Sequence, residues 1–315
     1  MRAVRSPDLD DVVAAGAIVA RHLTPTPVLA SAALGDGVAL KLETFQPTGS
    51  FKVRGALVAV ANALVIDAST QLITASAGNH GLGVAYAATT YGAKATVVVP
   101  ENASAAKRAA LVQFDIDLQA VGSSYDEAEA FAIEAAERGA HYVSPYNDPD
   151  TIAGQGSIVH ELVEQLPDVR TLIVPIGGGG LISGIGIAAS QHPGLRVIGV
   201  EAAASPAMSA ALRDGQPVAV LPTLADGLAG NLEPGSVTVE LCRRYVDHIV
   251  QVSEDEIREG MRYLAREHGL VVEGSGAVGV ATLLHGHVRG GEGSTAVVVT
   301  GRNIALDVFA DAVSS

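Results

Sequence analysis

Four short stretches carry residue types that could do chemistry. The first is Lys41-Leu42-Glu43-Thr44-Phe45-Gln46-Pro47-Thr48-Gly49-Ser50-Phe51-Lys52-Val53-Arg54-Gly55-Ala56, a strand-like start followed by a polar Pro/Gly turn. It places Lys52 at the start of a helix. The positive pole there disfavours an ammonium and lowers the lysine pKa. An amine with a lowered pKa is what a Schiff base with a carbonyl compound needs. A lysine read alone is far more often a solvated surface residue. The second stretch is Ser76-Ala77-Gly78-Asn79-His80, after the apolar run Leu72–Ala75. A small polar loop that opens a helix leaves N–H groups to hold a carboxylate, and Asn79 adds a side-chain amide. Asn79 would serve equally as a plain helix cap. His80 reads as a base or as a packed imidazole.

The third stretch, Gly177-Gly178-Gly179-Gly180-Leu181, joins an apolar strand to a helix. Without Cβ atoms the backbone N–H groups can crowd an anion, and the helix pole adds to the attraction. The ending of a nucleotide P-loop is absent, and so is Gly-x-Gly-x-x-Gly spacing with an acid about twenty residues on. The stretch therefore reads as a phosphate cradle, with the phosphate's owner open. The fourth, Val298-Val299-Thr300-Gly301-Arg302-Asn303, delivers a hydroxyl to the C-terminal end of a buried strand. Ligands gather at such ends in open α/β sheets, although a threonine there also commonly caps a turn.

Apolar strands must position these groups. Leu72–Ala75, Ala95–Val99, Thr171–Val174, Val197–Val200 and Ala296–Val299 alternate with Ala-rich stretches that predict helices near 81–91, 104–114 and 206–214. Runs apolar on both faces, alternating with helices, predict parallel sheets with right-handed crossovers. Ser253-Glu254-Asp255-Glu256 predicts a capping box on a helix that ends near Gly269. Residues 215–235 lack periodicity and read as a long surface connection. The 315 residues suit two domains or one large one. With 20 basic against 34 acidic residues, the net charge of −14 argues against a nucleic-acid surface. The single cysteine, Cys242, excludes an internal disulfide and a cysteine-built metal centre. No run of about 18 apolar residues and no leader-like start is present. A cytoplasmic protein with no membrane span is expected.

In their order and spacing, the four stretches resemble the fold-type II pyridoxal-phosphate (PLP) enzymes. The nearest match is the serine/threonine dehydratase (ammonia-lyase) and serine racemase family. The similarity runs from Thr24-Pro25-Thr26-Pro27 to Asn303. It includes Tyr146-Asn147-Asp148-Pro149, Ile152-Ala153-Gly154-Gln155-Gly156, Val200-Glu201 and Glu273-Gly274-Ser275-Gly276-Ala277. The resemblance implies an α/β fold of the tryptophan synthase β type, with two open, twisted, mostly parallel sheets flanked by helices. It implies a large PLP-binding domain of residues 1–70 and 148–315, with a small domain, 71–147, inserted in it. Lys52 is then the catalytic amine that joins the cofactor. Phe51 flanks the cofactor ring, and Asn79 bonds its phenolic oxygen. Gly177, Gly178, Gly179, Gly180 and Leu181 hold its phosphate, and Thr300 bonds the pyridine nitrogen. Ser76, Asn79 and His80 line the substrate carboxylate site. A homodimer is implied as well.

Racemisation needs a second base on the opposite face of Cα. Racemases of this family read Ser-Ser-Gly-Asn-His and use the second serine, where this chain has Ala77. The expected reaction is therefore loss of water from a 3-hydroxy amino acid of L-threonine or L-serine type, giving a 2-keto acid and ammonia. The alternatives are a dehydratase of 3-hydroxyaspartate, phenylserine or the hydroxyectoine pathway, a serine or aspartate racemase, and a non-catalytic amino-acid-binding homologue. Some members bind a cation through a glutamate, a carbonyl and an aspartate. Glu201 matches the glutamate, but Ala207 stands where the aspartate is expected. Hard cations need several oxygen ligands, so no metal ligand set is expected and a divalent cation is left open. Arg302 replaces a residue more often small. It reads either as a contact to an acidic substrate side chain or as a surface ion pair. The chain stops soon after Asn303, so isoleucine control through a C-terminal regulatory domain is not expected.

Overall fold

The computed structural model describes residues 4–289 and 293–314. Its strands are β1 (Val28–Ala30), β2 (Val38–Leu42), β3 (Leu72–Ala75), β4 (Ala95–Val99), β5 (Asp117–Ala120), β6 (His141–Tyr142), β7 (Val169–Pro175), β8 (Arg196–Ala202), β9 (His248–Val252) and β10 (Ser294–Val299). Among the described residues they form two sheets, ordered β1-β2-β10-β7-β8-β9 and β5-β4-β3-β6. Every neighbouring pair is parallel except β1 with β2. The helices are α1 (Leu9–Val19), α2 (Lys52–Ile66), α3 (Asn79–Tyr91), α4 (Ala105–Leu111), α5 (Tyr125–Glu137), α6 (Pro149–Gln165), α7 (Gly180–Ala189), α8 (Ala207–Arg213), α9 (Val237–Tyr245), α10 (Glu254–His268), α11 (Gly274–Leu284) and α12 (Leu306–Ser314).

The expected architecture is present, and the reason is burial on both faces. Every residue of β2, β3, β4 and β10 is buried. One face of the six-stranded sheet packs under α1, α2, α6 and α7, the other under α10 and α11. Apolar clusters also cover both faces of the four-stranded sheet. The helices α2, α6 and α7 come so close that side chains are excluded at their crossings. A Cβ on Gly154 would lie 2.6 Å from Gly55 Cα, and one on Gly184 would run into the Ile152 carbonyl. The Ile-Ala-Gly-Gln-Gly stretch is thus a helix-packing device.

The capping box forms as read. Ser253 Oγ accepts from Glu256 N–H, Glu256 accepts from Ser253 N–H, and Gly269 closes α10 in a left-handed turn. Helix α3 begins at Asn79, two residues earlier than its periodicity suggests, and α4 ends at Leu111. Residues 215–235 do form a long and mostly exposed connection, which touches the core at one point. A single turn at Asp226–Leu228 tucks in there, with Ala225 and Leu228 buried. Its Gly227 carbonyl approaches Gly177.

Candidate active site

Strands β3, β7, β8 and β10 deliver the Ser76–His80 loop, the glycine loop, Glu201 and Thr300 at their C-terminal ends. The lysine and threonine motifs are stitched together. Ser50 and Gly301 form an antiparallel bridge. Phe51 N–H donates to Thr300 O at 3.1 Å, and Arg302 N–H to Gly49 O at 2.9 Å. Asn303 Nδ2 donates to Thr48 O at 2.8 Å. Thr300 is therefore held at the mouth of α2, beside Lys52, as a buried residue.

Lys52 opens α2. Its Nζ donates to Pro145 O at 2.7 Å and lies 5.2 Å from the Phe51 ring centroid. Burial brings its pKa down to about 8, while the Glu273 carboxylate pulls it back up. The direction agrees with the helix-pole argument, but burial is the larger cause. Asn79 opens α3. Its Nδ2 donates to Glu273 Oε1 at 2.8 Å, and its Oδ1 accepts from Asn303 Nδ2 at 2.6 Å. Burial, reinforced by Asp226, pushes the Glu273 carboxyl up to about 8. Ser76 Oγ accepts from Gly78 N–H, which shapes the loop. The His80 ring is buried, with Nε2 3.0 Å from Val143 O. Burial first, and then the Lys52 charge, hold it down at about 3. It is a neutral buttress with its proton on Nε2.

The glycine loop is shaped by the absence of side chains. A Cβ on Gly178 would strike the Tyr146 ring, and one on Gly180 would stand 2.9 Å from Tyr146 Cα. Tyr146 is itself fixed, because its hydroxyl accepts from Glu233 N–H at 2.8 Å. Thr238 Oγ1 donates to Gly178 O at 2.8 Å, which turns that carbonyl away. The first N–H groups of α7 have no intrahelical acceptor. Nearby, the buried Ser275 Oγ has no partner among the described residues. A cradle that side chains would fill, free N–H groups and an orphaned hydroxyl fit a phosphate-bearing cofactor.

Glu201 and Arg302 are both engaged by backbone groups of the fold. Glu201 accepts from Met208 N–H at 2.7 Å and from the Ser209 N–H and hydroxyl, so its carboxylate closes the start of α8. Among the described residues, no group of three or more metal-ligating side chains gathers. Arg302 donates to Thr44 O. Neither expectation for it anticipated this tether to backbone.

Sequence reasoning missed three features. Glu273 and Tyr146 stand in their motifs without a role that the residue types suggest. The third is a buried charge cluster behind Lys52. Arg54 holds Glu43 at 2.7 and 2.8 Å and Glu161 at 2.6 and 2.9 Å. Lys41 Nζ joins Glu161 at 2.6 Å. Burial acts to raise the Glu43 carboxyl, and Arg54 overcomes it and leaves it below its ordinary value. Lys41, Glu43 and Arg54 all lie in the stretch that flagged Lys52. A pair of cations and an anion in a strand-turn-helix segment was the available signal.

A family model for pyridoxal-phosphate dependent enzymes matches residues 19–301. The chain is 42% identical over 280 residues to an L-threonine ammonia-lyase of Thermotoga maritima, covering 87% of this chain and 69% of that one. It superposes on maize serine racemase with a TM-score of 0.89 at 30% identity, covering 98% of this chain and 97% of the other. The processed form of threonine deaminase isoform 2 from Solanum lycopersicum gives a TM-score of 0.89 at 30% identity, over 99% and 96%. The lysine, the glycine cradle and the threonine meet on one sheet edge, and these likenesses span nearly the whole length, so the chain belongs to the pyridoxal-phosphate-dependent enzyme family.

Proposed function

We propose that the chain is an ammonia-lyase that removes water from a 3-hydroxy amino acid of L-threonine or L-serine type, releasing a 2-keto acid and ammonia. The observation that carries the reading is the placement of Lys52 Nζ on Pro145 O, one residue from the Tyr146 floor of the glycine cradle. The similar ammonia-lyase and deaminase chains support the choice of reaction.

Lys52 would hold the cofactor, with Phe51 beside its ring, Asn79 at its phenolic oxygen and Thr300 at its pyridine nitrogen. Gly177, Gly178, Gly179, Gly180 and Leu181 would take its phosphate on N–H groups. When bound, PLP delocalises the charge left on Cα as that carbon loses its proton. The rest falls to the chain. The Ser76–His80 loop receives the substrate carboxylate on Ser76 and Asn79, with His80 as its neutral support. Lys52 Nζ, released when the substrate amine takes its place, accepts the Cα proton, and that proton can return to the β-hydroxyl so that it leaves as water. Thr300 brings no full charge to its acceptor, which favours prompt loss of the β-hydroxyl over long storage of charge. Ala77 offers no proton to the opposite face, so elimination outruns racemisation.

The domain division at about 71–147, a cytoplasmic location and a homodimer belong to the same reading. The test is a panel of L-threonine, L-serine, 3-hydroxyaspartate and 3-phenylserine followed by keto-acid release, with D-serine measured in parallel. Keto acid from at least one substrate, with D-serine formed more slowly, is the expected result. Racemisation of L-serine as fast as keto-acid release overturns the choice. An absence of keto acid across the panel by the PLP-loaded protein overturns the activity.

A further inference from the structure

The direction of the Asn79 amide is set by a chain that begins on a backbone carbonyl. Thr48 O can only accept, and Asn303 Nδ2 donates to it at 2.8 Å. That contact decides which end of Asn303 is nitrogen. The same Nδ2 donates to Asn79 Oδ1 at 2.6 Å. Asn79 therefore turns its oxygen to Asn303 and its nitrogen to Glu273 Oε1, 2.8 Å away. A reversed Asn79 would set two NH2 groups against each other and a carbonyl against a carboxylate. Glu273 is a firm end point. It is buried, its N–H donates to Gly301 O at 3.1 Å, and its carboxyl receives the Asn303 backbone N–H. An amide nitrogen carries two hydrogens, so one remains after the bond to Glu273.

We propose that Glu273 and Asn303 are positioning residues that hold the Asn79 amide with its NH2 end, rather than its carbonyl, toward the oxygen of the cofactor ring. This rests on the reading of Asn79 as the residue that bonds that oxygen. Glu273 faces Asn79, the Asn303 N–H, Asp226, Lys107 and Lys52. When its carboxyl is protonated it still accepts from Asn79 through its carbonyl oxygen, but it could also donate to a reversed amide. Asn303 keeps its selectivity as Glu273 titrates, because the Thr48 carbonyl does not.

The experiment is a double-mutant cycle on the full chain, read by equilibrium binding of pyridoxal phosphate and by the pH at which the visible band of the bound cofactor changes. Asn303→Ala and Glu273→Leu are each expected to weaken cofactor binding about 5- to 30-fold and to move the band's pH midpoint the same way as Asn79→Ala. Glu273→Gln keeps an acceptor and is expected to stay within about twofold. In an Asn79→Ala background the same substitutions lose most of their effect. If Asn303→Ala and Glu273→Leu lower binding equally with and without Asn79, their role is only structural and the proposal is overturned. If Asn79→Ala binds cofactor weakly while the other variants match wild type, the proposal falls and the role of Asn79 stands. Wild-type binding and midpoint in Asn79→Ala remove both.

Discussion

Half-buried Lys52 and buried Glu273 are neighbours whose ionisations are pushed in opposite senses, both to about 8. In the cofactor-free protein this has a definite stability signature. The Glu273 value is raised, so its contribution is present below the unfolded carboxyl value and is lost as pH rises through about 8. The Lys52 value is depressed from 10.5, so its contribution is present above that value and is lost as pH falls through about 8. The pair is expected to make cofactor-free protein least stable near pH 8. Denaturant titrations across the range check this. Glu273→Gln should flatten the acid arm and Lys52→Met the alkaline arm. A Lys52→Met profile parallel to wild type above pH 8 contradicts the assignment. Lys52 was legible because a helix start after a Pro/Gly turn is an abnormal place for an ammonium. Glu273 was not, since nothing in Glu-Gly-Ser-Gly tells that its carboxyl will be buried beside an amine from a distant strand-turn-helix segment.

At the scale of elements, the site depends on how α2 and α7 begin. The N-terminal turn of α2 is anchored by the Arg54 cluster, whose charges balance as two cations and two anions. Breaking a buried pair strands a charge. Arg54→Met should therefore cost about 3–5 kcal/mol in chemical denaturation. The double change Arg54→Met with Glu43→Met should recover part of it, because the partner is removed as well. A single variant as stable as wild type would show the cluster to be slack. At α7, Gly178→Ala should weaken cofactor binding by about tenfold or more through contact with the Tyr146 ring. Adding Tyr146→Ala should restore part of the affinity, and equal losses in both backgrounds would place the fault elsewhere. The central strands were legible because burial on two faces leaves long apolar runs. Strands β5 and β6 lie at the edges of their sheet. Asp117-Leu118-Gln119-Ala120 is partly exposed throughout, so its pattern is not that of a buried strand. The Arg54 cluster was half legible, since Glu161 arrives from α6 by tertiary packing alone.

Across the whole molecule, the proposed cofactor contacts come from both sheets. Asn79 and Ser76 follow β3 of the four-stranded sheet, whereas the glycine loop and Thr300 follow β7 and β10 of the six-stranded one. Polar ties between the two parts add to an apolar core that α2 and α3 share. One is the Asn79 chain, and another is an exposed Lys107–Asp226 pair at 3.4 Å, a type worth about 1 kcal/mol or less. A ligand that binds both sides only in the folded state adds stability by mass action, about 2.7 kcal/mol at a hundredfold excess over Kd. For a protein of 315 residues that corresponds to a Tm increase of about 4 °C. Because the contacts bridge the sheets, the increase should apply to a single calorimetric transition. Asn79→Ala, which removes one contact of the bridge, should reduce the increase while the transition stays single, because the shared core couples the two sheets. A cofactor-loaded wild-type protein that melts in two steps, with only the later one shifted, would show that the cofactor is held by the cradle and Lys52 alone.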